Sequence, residues 1–171
     1  MDILVISDSH GRQDRIEEAV SRQIKKPDAV IFLGDGQRDI AYAQLGDIPL
    51  YRVSGNCDFG GLFCTDNAPE MQMVEIGGKR MFITHGHRFG VKSTLTPLLS
   101  EAIKRDADVV LFGHTHEACE GVLTPDNELG LNVTKPLHVM NPGSIGSYPY
   151  SFGVVTVDRE GRILLSHGTL A

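Results

Sequence analysis

The chain carries only three cysteines, Cys57, Cys64 and Cys119, at irregular spacing. They are too few for a disulfide framework and wrongly spaced for a zinc ribbon. A reducing, cytoplasmic setting is the expectation. Long hydrophobic runs are missing as well. Runs such as Ile3-Leu4-Val5-Ile6 are far too short to span a membrane, so no membrane association is expected. The first residues bring Asp2 rather than a basic stretch, so no secretory leader is expected. Basic charge is in deficit: 16 Lys and Arg against 22 Asp and Glu give a net −6. Long nucleic acid is therefore not an expected partner. Repeats, low-complexity tracts and linkers are also lacking. With 171 residues, 41% hydrophobic and 22% charged, the chain is too apolar to be disordered. It is long enough for one core and short for two domains, so residues 1–171 are expected to form a single domain. What is present in quantity is glycine, 19 residues, and histidine, 7 residues.

Apolar patterning divides the chain into short elements. Residues 2–7 read as a buried strand that stops at Asp8-Ser9-His10-Gly11. Ile16, Ala19, Val20 and Ile24 share one face of a helix that ends before Pro27. Strands at 29–33 and 50–53 end in Gly34-Asp35-Gly36 and Ser54-Gly55-Asn56-Cys57-Asp58, with a short helix between Asp39 and Leu45. Gly77-Gly78 joins strands 71–76 and 79–84 as a hairpin, and the second strand ends in His85-Gly86-His87. Leu95, Leu98, Leu99, Ala102 and Ile103 form a helical stripe, with Thr96-Pro97 as cap and first helical position. Strand 108–112 ends in Gly113-His114-Thr115-His116. Further strands are read at 120–123, 137–140, 153–157 and 163–166, with Asn141-Pro142-Gly143-Ser144 as a turn.

Five of these strands end in glycine-containing loops that carry Asp, Asn or His. Ligands of open α/β sheets bind beyond the carboxyl ends of strands, and glycine lets backbone approach a ligand. The candidates are Asp8, His10, Asp35, Asn56, His85, His114 and His116. Taken singly, Asp8 reads more often as a helix cap or Asx-turn, Asp35 equally often as a plain turn, and Asn56 normally as a left-handed turn residue. Taken together, carboxylate, amide oxygen and imidazole are donors suited to Mn, Fe, Ni or Zn, with no thiolate needed.

Asp8-x-His10, Gly34-Asp35, Gly55-Asn56, His85-Gly86-His87 and Gly113-His114-x-His116 resemble, in order, the motif set of the calcineurin-like metallophosphoesterases. Asn141-Pro142-Gly143-Ser144 resembles a further turn of its small single-domain branch. That branch includes the YfcE-like phosphodiesterases and the retromer scaffold subunit. The resemblance implies an α/β (α+β) fold, a two-layered β-sandwich flanked by helices, with two divalent metals at one edge. Manganese is its first expectation, with Ni, Fe and Zn as alternatives. It implies that Asp8, His10, Asp35 and His116 hold one metal, and that Asp35, Asn56, His85 and His114 hold the other. Asp35 would bridge both. It implies hydrolysis of small phosphate esters, foremost phosphodiesters, by a metal-bridging hydroxide, with Asp35, Asn56 and His87 in the catalytic set. The homo-oligomeric state stays open.

Where many superfamily members place a histidine after the site Asn, this chain has Cys57, as the YfcE-like branch does. A thiol is a weak hydrogen-bond donor, so esters with good leaving groups are expected to react best. Covalent catalysis by Cys57 is not expected. His87 has two readings, a residue that contacts phosphate or orients a ligand, or an ordinary loop histidine. Asp58 reads as a turn-stabilising carboxylate, His138 and His167 as strand histidines, and Arg12 and Arg88 as surface arginines. Tyr148-Pro149-Tyr150 reads either as a wall of the substrate groove or as an exposed turn. The alternative to an enzyme is an interaction scaffold of the retromer-subunit type with vestigial or weak activity, against which stands the presence of all the expected ligands. A mononuclear metal hydrolase acting on other bonds is a weaker third reading.

Overall fold

The computed structural model describes residues 1–58 and 68–171, so Cys64 lies outside the described residues. Two five-stranded sheets pack face to face. The first holds β1 (Asp2–Ile6), β2 (Ala29–Phe32), β3 (Leu50–Arg52), β9 (Ser151–Val157) and β10 (Ile163–Thr169), in the order β10-β9-β1-β2-β3. The second holds β4 (Met71–Ile76), β5 (Lys79–Thr84), β6 (Val109–Leu111), β7 (Ala118–Leu123) and β8 (Leu137–Pro142), in the order β4-β5-β6-β8-β7. β1, β2 and β3 run parallel, and so do β5, β6 and β8.

The strand sequences explain the layering. Side chains alternate across a strand, so β1 sends Ile3 and Val5 to one face and Leu4 and Ile6 to the other. Ile3 and Val5 pack with Ile31, Met81, Ile83 and Leu111 between the sheets. Leu4 and Ile6 pack outward against α1 (Gln13–Ser21) and α2 (Gln37–Tyr42), through Ile16, Ala19 and Ile40. Phe82, Val110 and Phe112 do the same for α3 (Thr96–Lys104), through Leu98, Leu99 and Ala102. The result is the expected β-sandwich flanked by helices. No helix among the described residues is long and apolar enough to cross a membrane.

Among the boundaries that differ from the sequence reading, three have a clear physical reason. α1 stops at Ser21, and Ile24 lies beyond it, fully exposed. There the chain turns back to the sheet, with Lys25 paired to Asp2 at 2.8 Å and the Asp28 N–H donating to Asp2 O. α2 starts at Gln37, before Asp39, because Asp58 accepts the Gly36 and Gln37 N–H groups at its N-terminus. Asn141 and Pro142 belong to β8, held by pairing with Cys119 and Ala118, so the turn begins at Gly143 with φ +80°.

Candidate metal centre at the strand ends

The carboxyl ends of the parallel strands of both sheets meet at one edge, tied by bonds that cross between loops. His114 N donates to Asp8 Oδ2 at 3.1 Å, and His85 Nδ1 bonds Leu33 O at 2.8 Å. Asn141 Nδ2 donates to Gly113 O at 2.9 Å and to Thr115 Oγ1 at 2.9 Å. Ser144 Oγ donates to Asp8 O at 2.9 Å. The loops can come this close because glycine sits at the contacts. A Cβ at Gly55 would stand 2.1 Å from Asp35 Oδ1, and one at Gly113 would stand 2.0 Å from Ser7 Oγ.

At this edge six of the seven expected ligands fall into groups of metal-binding geometry: Asp8 with His10 and His116, Asp35 with His85 and His114, and His10 and Asp35 together with Cys57. Asp8 uses Oδ2 to accept from Ser7 Oγ (2.5 Å) and His114 N, which leaves Oδ1 aimed at the histidines. Oδ1 stands 3.1 Å from His116 Nε2, 3.7 Å from His10 Nε2 and 3.9 Å from His85 Nε2. His10 Nε2 and His116 Nε2 are themselves 3.2 Å apart. Asp35 likewise spends Oδ1 on the Cys57 N–H, at 2.7 Å, and turns Oδ2 toward His85 Nε2, at 3.3 Å. His85 Nε2 thus lies between the two carboxylates, which joins the groups into one centre. Asn56 is exposed between Gly55 and Cys57, its Nδ2 3.3 Å from Cys57 Sγ.

Two of these inward-facing atoms, Asp8 Oδ1 and His85 Nε2, are buried with no hydrogen-bond partner. A buried polar atom left bare is destabilising, and such atoms cluster where an ion or catalytic group belongs. The donor set of carboxylate oxygens and imidazole nitrogens suits a divalent transition metal. The residues present therefore fit the implied cations. His85 illustrates the fit: its Nδ1 is tied to a backbone carbonyl, so the lone pair needed for coordination is on Nε2.

Electrostatics follow the same geometry. Burial would raise the Asp35 carboxyl, but the His85 ring and the Cys57 N–H outweigh it and hold Asp35 well below the usual carboxylate range. Burial opposes a charge on His85, yet Asp35 and Asp8 push its pKa up. Burial and the neighbouring His85 lower both His114 and His87. The bond to Asp35 and burial push the Cys57 thiol up to about 11. The backbone is strained in the same places. Asp8, His10, Asp35, His114 and His116 have φ of +57°, +44°, +57°, +70° and +62°. Non-glycine residues are uncommon in this left-handed region, and such strain concentrates at functional sites.

The other singled-out residues fall beside the centre or away from it. His87 opens a short 3-10 helix (His87–Phe89), with its ring 5.5 Å from that of His85 and a buried Nδ1 that lacks a partner. Asp58 serves the turn: its carboxylate accepts the N–H groups of Asp35, Gly36, Gln37 and Gly55 at 2.7–3.0 Å. Arg88 pairs with Glu70 and Arg12 with Asp14, so each has its own carboxylate. His138 and His167 lie in β8 and β10. Sequence reasoning missed two supports. Asn141 holds the His114-x-His116 loop, and His167 Nε2 bonds Asn141 O at 2.8 Å. The signal available was the Asn that closes a sixth parallel strand end.

The domain model of the calcineurin-like phosphoesterase superfamily matches residues 1–160. A probable metallophosphoesterase, YsnB of Bacillus subtilis (strain 168), is 33% identical over 145 residues, which is 85% of this chain and 75% of that protein. The solved structure of a novel archaeal phosphodiesterase superposes with a TM-score of 0.72 at 26% identity, over 99% of this chain and 100% of that one. Vacuolar protein sorting 29 from Cryptosporidium parvum superposes with a TM-score of 0.68 over 99% of this chain and 97% of that one. Its identity of 18% speaks for the fold alone.

Proposed function

Since the chain belongs to the calcineurin-like phosphoesterase superfamily, we propose that it hydrolyses small phosphate esters, foremost phosphodiesters, with two divalent cations per chain. The observation that carries the reading is the convergence of two carboxylates and four imidazoles from both sheets, with Asp8 Oδ1 and His85 Nε2 buried and bare. Asp8, His10 and His116 would hold one cation, and Asn56, His85 and His114 the other, with Asp35 shared. Manganese is the first choice, and a carboxylate can span two cations where an imidazole's single lone pair cannot. Such cations supply Lewis-acid polarisation of a phosphoryl oxygen and a lowered pKa for a nucleophilic water.

The chain's own residues supply position and proton control. Leu33 O fixes the His85 ring, and the Cys57 N–H fixes the Asp35 carboxylate, so both ligands are set before substrate arrives. His87, kept neutral by burial, has its ring beside those of His85 and His114, with Nε2 3.9 Å from Glu70 Oε1, and would contact the substrate phosphate. The Cys57 thiol keeps its proton at neutral pH, which removes it as a nucleophile and leaves a weak donor at the leaving group. Esters whose leaving groups need little protonation are therefore the better substrates. We take residues 1–171 as one domain acting in the cytoplasm, where exposed Cys57 and Cys119 stay reduced.

Purified protein with added Mn²⁺ is expected to hydrolyse bis-p-nitrophenyl phosphate and to stop when chelator is added. Asp35→Asn is expected to lower kcat/KM at least about a hundredfold, because it weakens the ligand both groups share. A metal-loaded protein inert toward every phosphate mono- and diester would overturn the reading in favour of an interaction scaffold.

A further inference from the structure

We propose that Tyr148, braced by Tyr150, forms a stacking platform beside the metal centre that selects phosphate esters bearing a planar aromatic substituent, a nucleobase or an aryl ring. This rests on the phosphoesterase reading above.

The segment that leads into the platform is tied to the loop that carries Asp8 and His10. Ile145 N donates to Ser7 O at 3.0 Å and Gly146 N to Asp8 O at 3.1 Å. Tyr148 is two residues further on, about 7 Å of chain at most. Its ring meets that of Tyr150 edge to face, with centroids 6.0 Å apart and planes at 87°. Tyr150 is in turn held from α1 and the residue before it: the Arg15 guanidinium lies 4.3 Å from its ring centroid and that of Arg12 5.7 Å. Tyr150 also holds φ at +50°, a strained value for an aromatic residue.

Behind this brace, Tyr148 is 86% exposed. A large aromatic side chain set against a rigid support and open to solvent can stack a planar group with little loss of conformational freedom. Arg12 and Arg15 are neutralised by Asp14 and Glu18. The platform therefore offers ring faces rather than spare charge. Its partner is an uncharged planar group, while the phosphate goes to the metal centre beside it.

The test keeps the p-nitrophenyl leaving group constant and changes the substituent that remains on phosphorus, thymidine in one ester and methyl in the other. With Mn²⁺-loaded full-length protein, KM for the thymidine 5′-phosphate ester is expected about three- to tenfold below that for methyl p-nitrophenyl phosphate. Tyr148→Ala should bring that ratio close to one, and Tyr148→Phe should keep it, since the ring does the stacking. A ratio near one in the native protein, or a ratio that Tyr148→Ala leaves in place, overturns the proposal. If neither ester is hydrolysed, the phosphoesterase reading fails by itself, and the platform is read by calorimetry instead. Thymidine 5′-phosphate binding more tightly than methyl phosphate, with the difference lost in Tyr148→Ala, sustains it; equal affinities overturn it.

Discussion

Asp58 gathers four backbone N–H groups on one carboxylate, and two of them belong to Asp35, a candidate ligand, and to Gly55, packed against it. Its side chain needs no contact with a cation to matter. An asparagine there would present a donor where the backbone also presents donors. Asp58→Asn is expected to destabilise the fold by about 2 kcal/mol, read by urea unfolding in chelator. It is also expected to weaken Mn²⁺ binding about 10- to 100-fold, as the loss of an outer support does. The sequence showed Asp58 as a turn residue because an acidic side chain three positions after a glycine turn has that chemistry. It showed Asp8, His10, Asp35, Asn56, His85, His114 and His116 as a set because each lies in a loop that follows a short apolar run. It showed Asn141 in a turn motif but not its support of the His114-x-His116 loop, since a bond to the backbone of another segment leaves no trace in local spacing. His167 escaped for the same reason, as its partner is the backbone oxygen of Asn141.

At the scale of elements, β5 and β6 are joined at their starts by a small charged knot. Asp108 accepts from Arg80 N at 2.8 Å and from Lys135 Nζ at 2.8 Å. Burial would raise its carboxyl, but Lys135 and the Arg80 N–H hold it below its ordinary 3.8. A carboxyl depressed in the folded state adds stability above its unfolded pKa, and that contribution fades as pH falls through the folded value. Asp108→Asn is therefore expected to lower unfolding free energy by about 1 kcal/mol at pH 7. The gap to the native protein should narrow progressively as pH falls below the ordinary carboxylate value of 3.8, which thermal unfolding across pH would read. Strands of this kind were legible because alternate residues are apolar on both faces. Helix ends were less so: α2 is started by Asp58, 21 residues from Gln37 in sequence, and no local pattern reports a cap that distant.

At the scale of the whole molecule, the described residues form two sheets whose loops share one cluster of candidate ligands. Cations bound there would stitch β1 and β2 of one sheet to β5 and β6 of the other, on top of the apolar layer between them. Ligands that bind only the folded state stabilise it by mass action, about 2.7 kcal/mol at a hundred times Kd. Free Mn²⁺ at that excess is expected to raise Tm by several degrees over protein in chelator. An unchanged Tm would show that the centre holds no manganese. The number and identity of the cations were not readable from spacing, because oxygen and imidazole donors accept several metals.

The left-handed backbone at Asp8, His10, Asp35, His114 and His116 has a further consequence. A side chain in that conformation is a burden of about 1–3 kcal/mol that glycine would lift. At these positions, what makes the protein fold better and what makes it able to bind metal pull in opposite directions. Laboratory selection for heat resistance alone, run without metal, would drift toward glycine at these strand ends. It would arrive at a sturdy sandwich with an empty rim. Selection for heat resistance in this fold therefore has to be coupled to a metal-dependent readout, or it will discard the chemistry first.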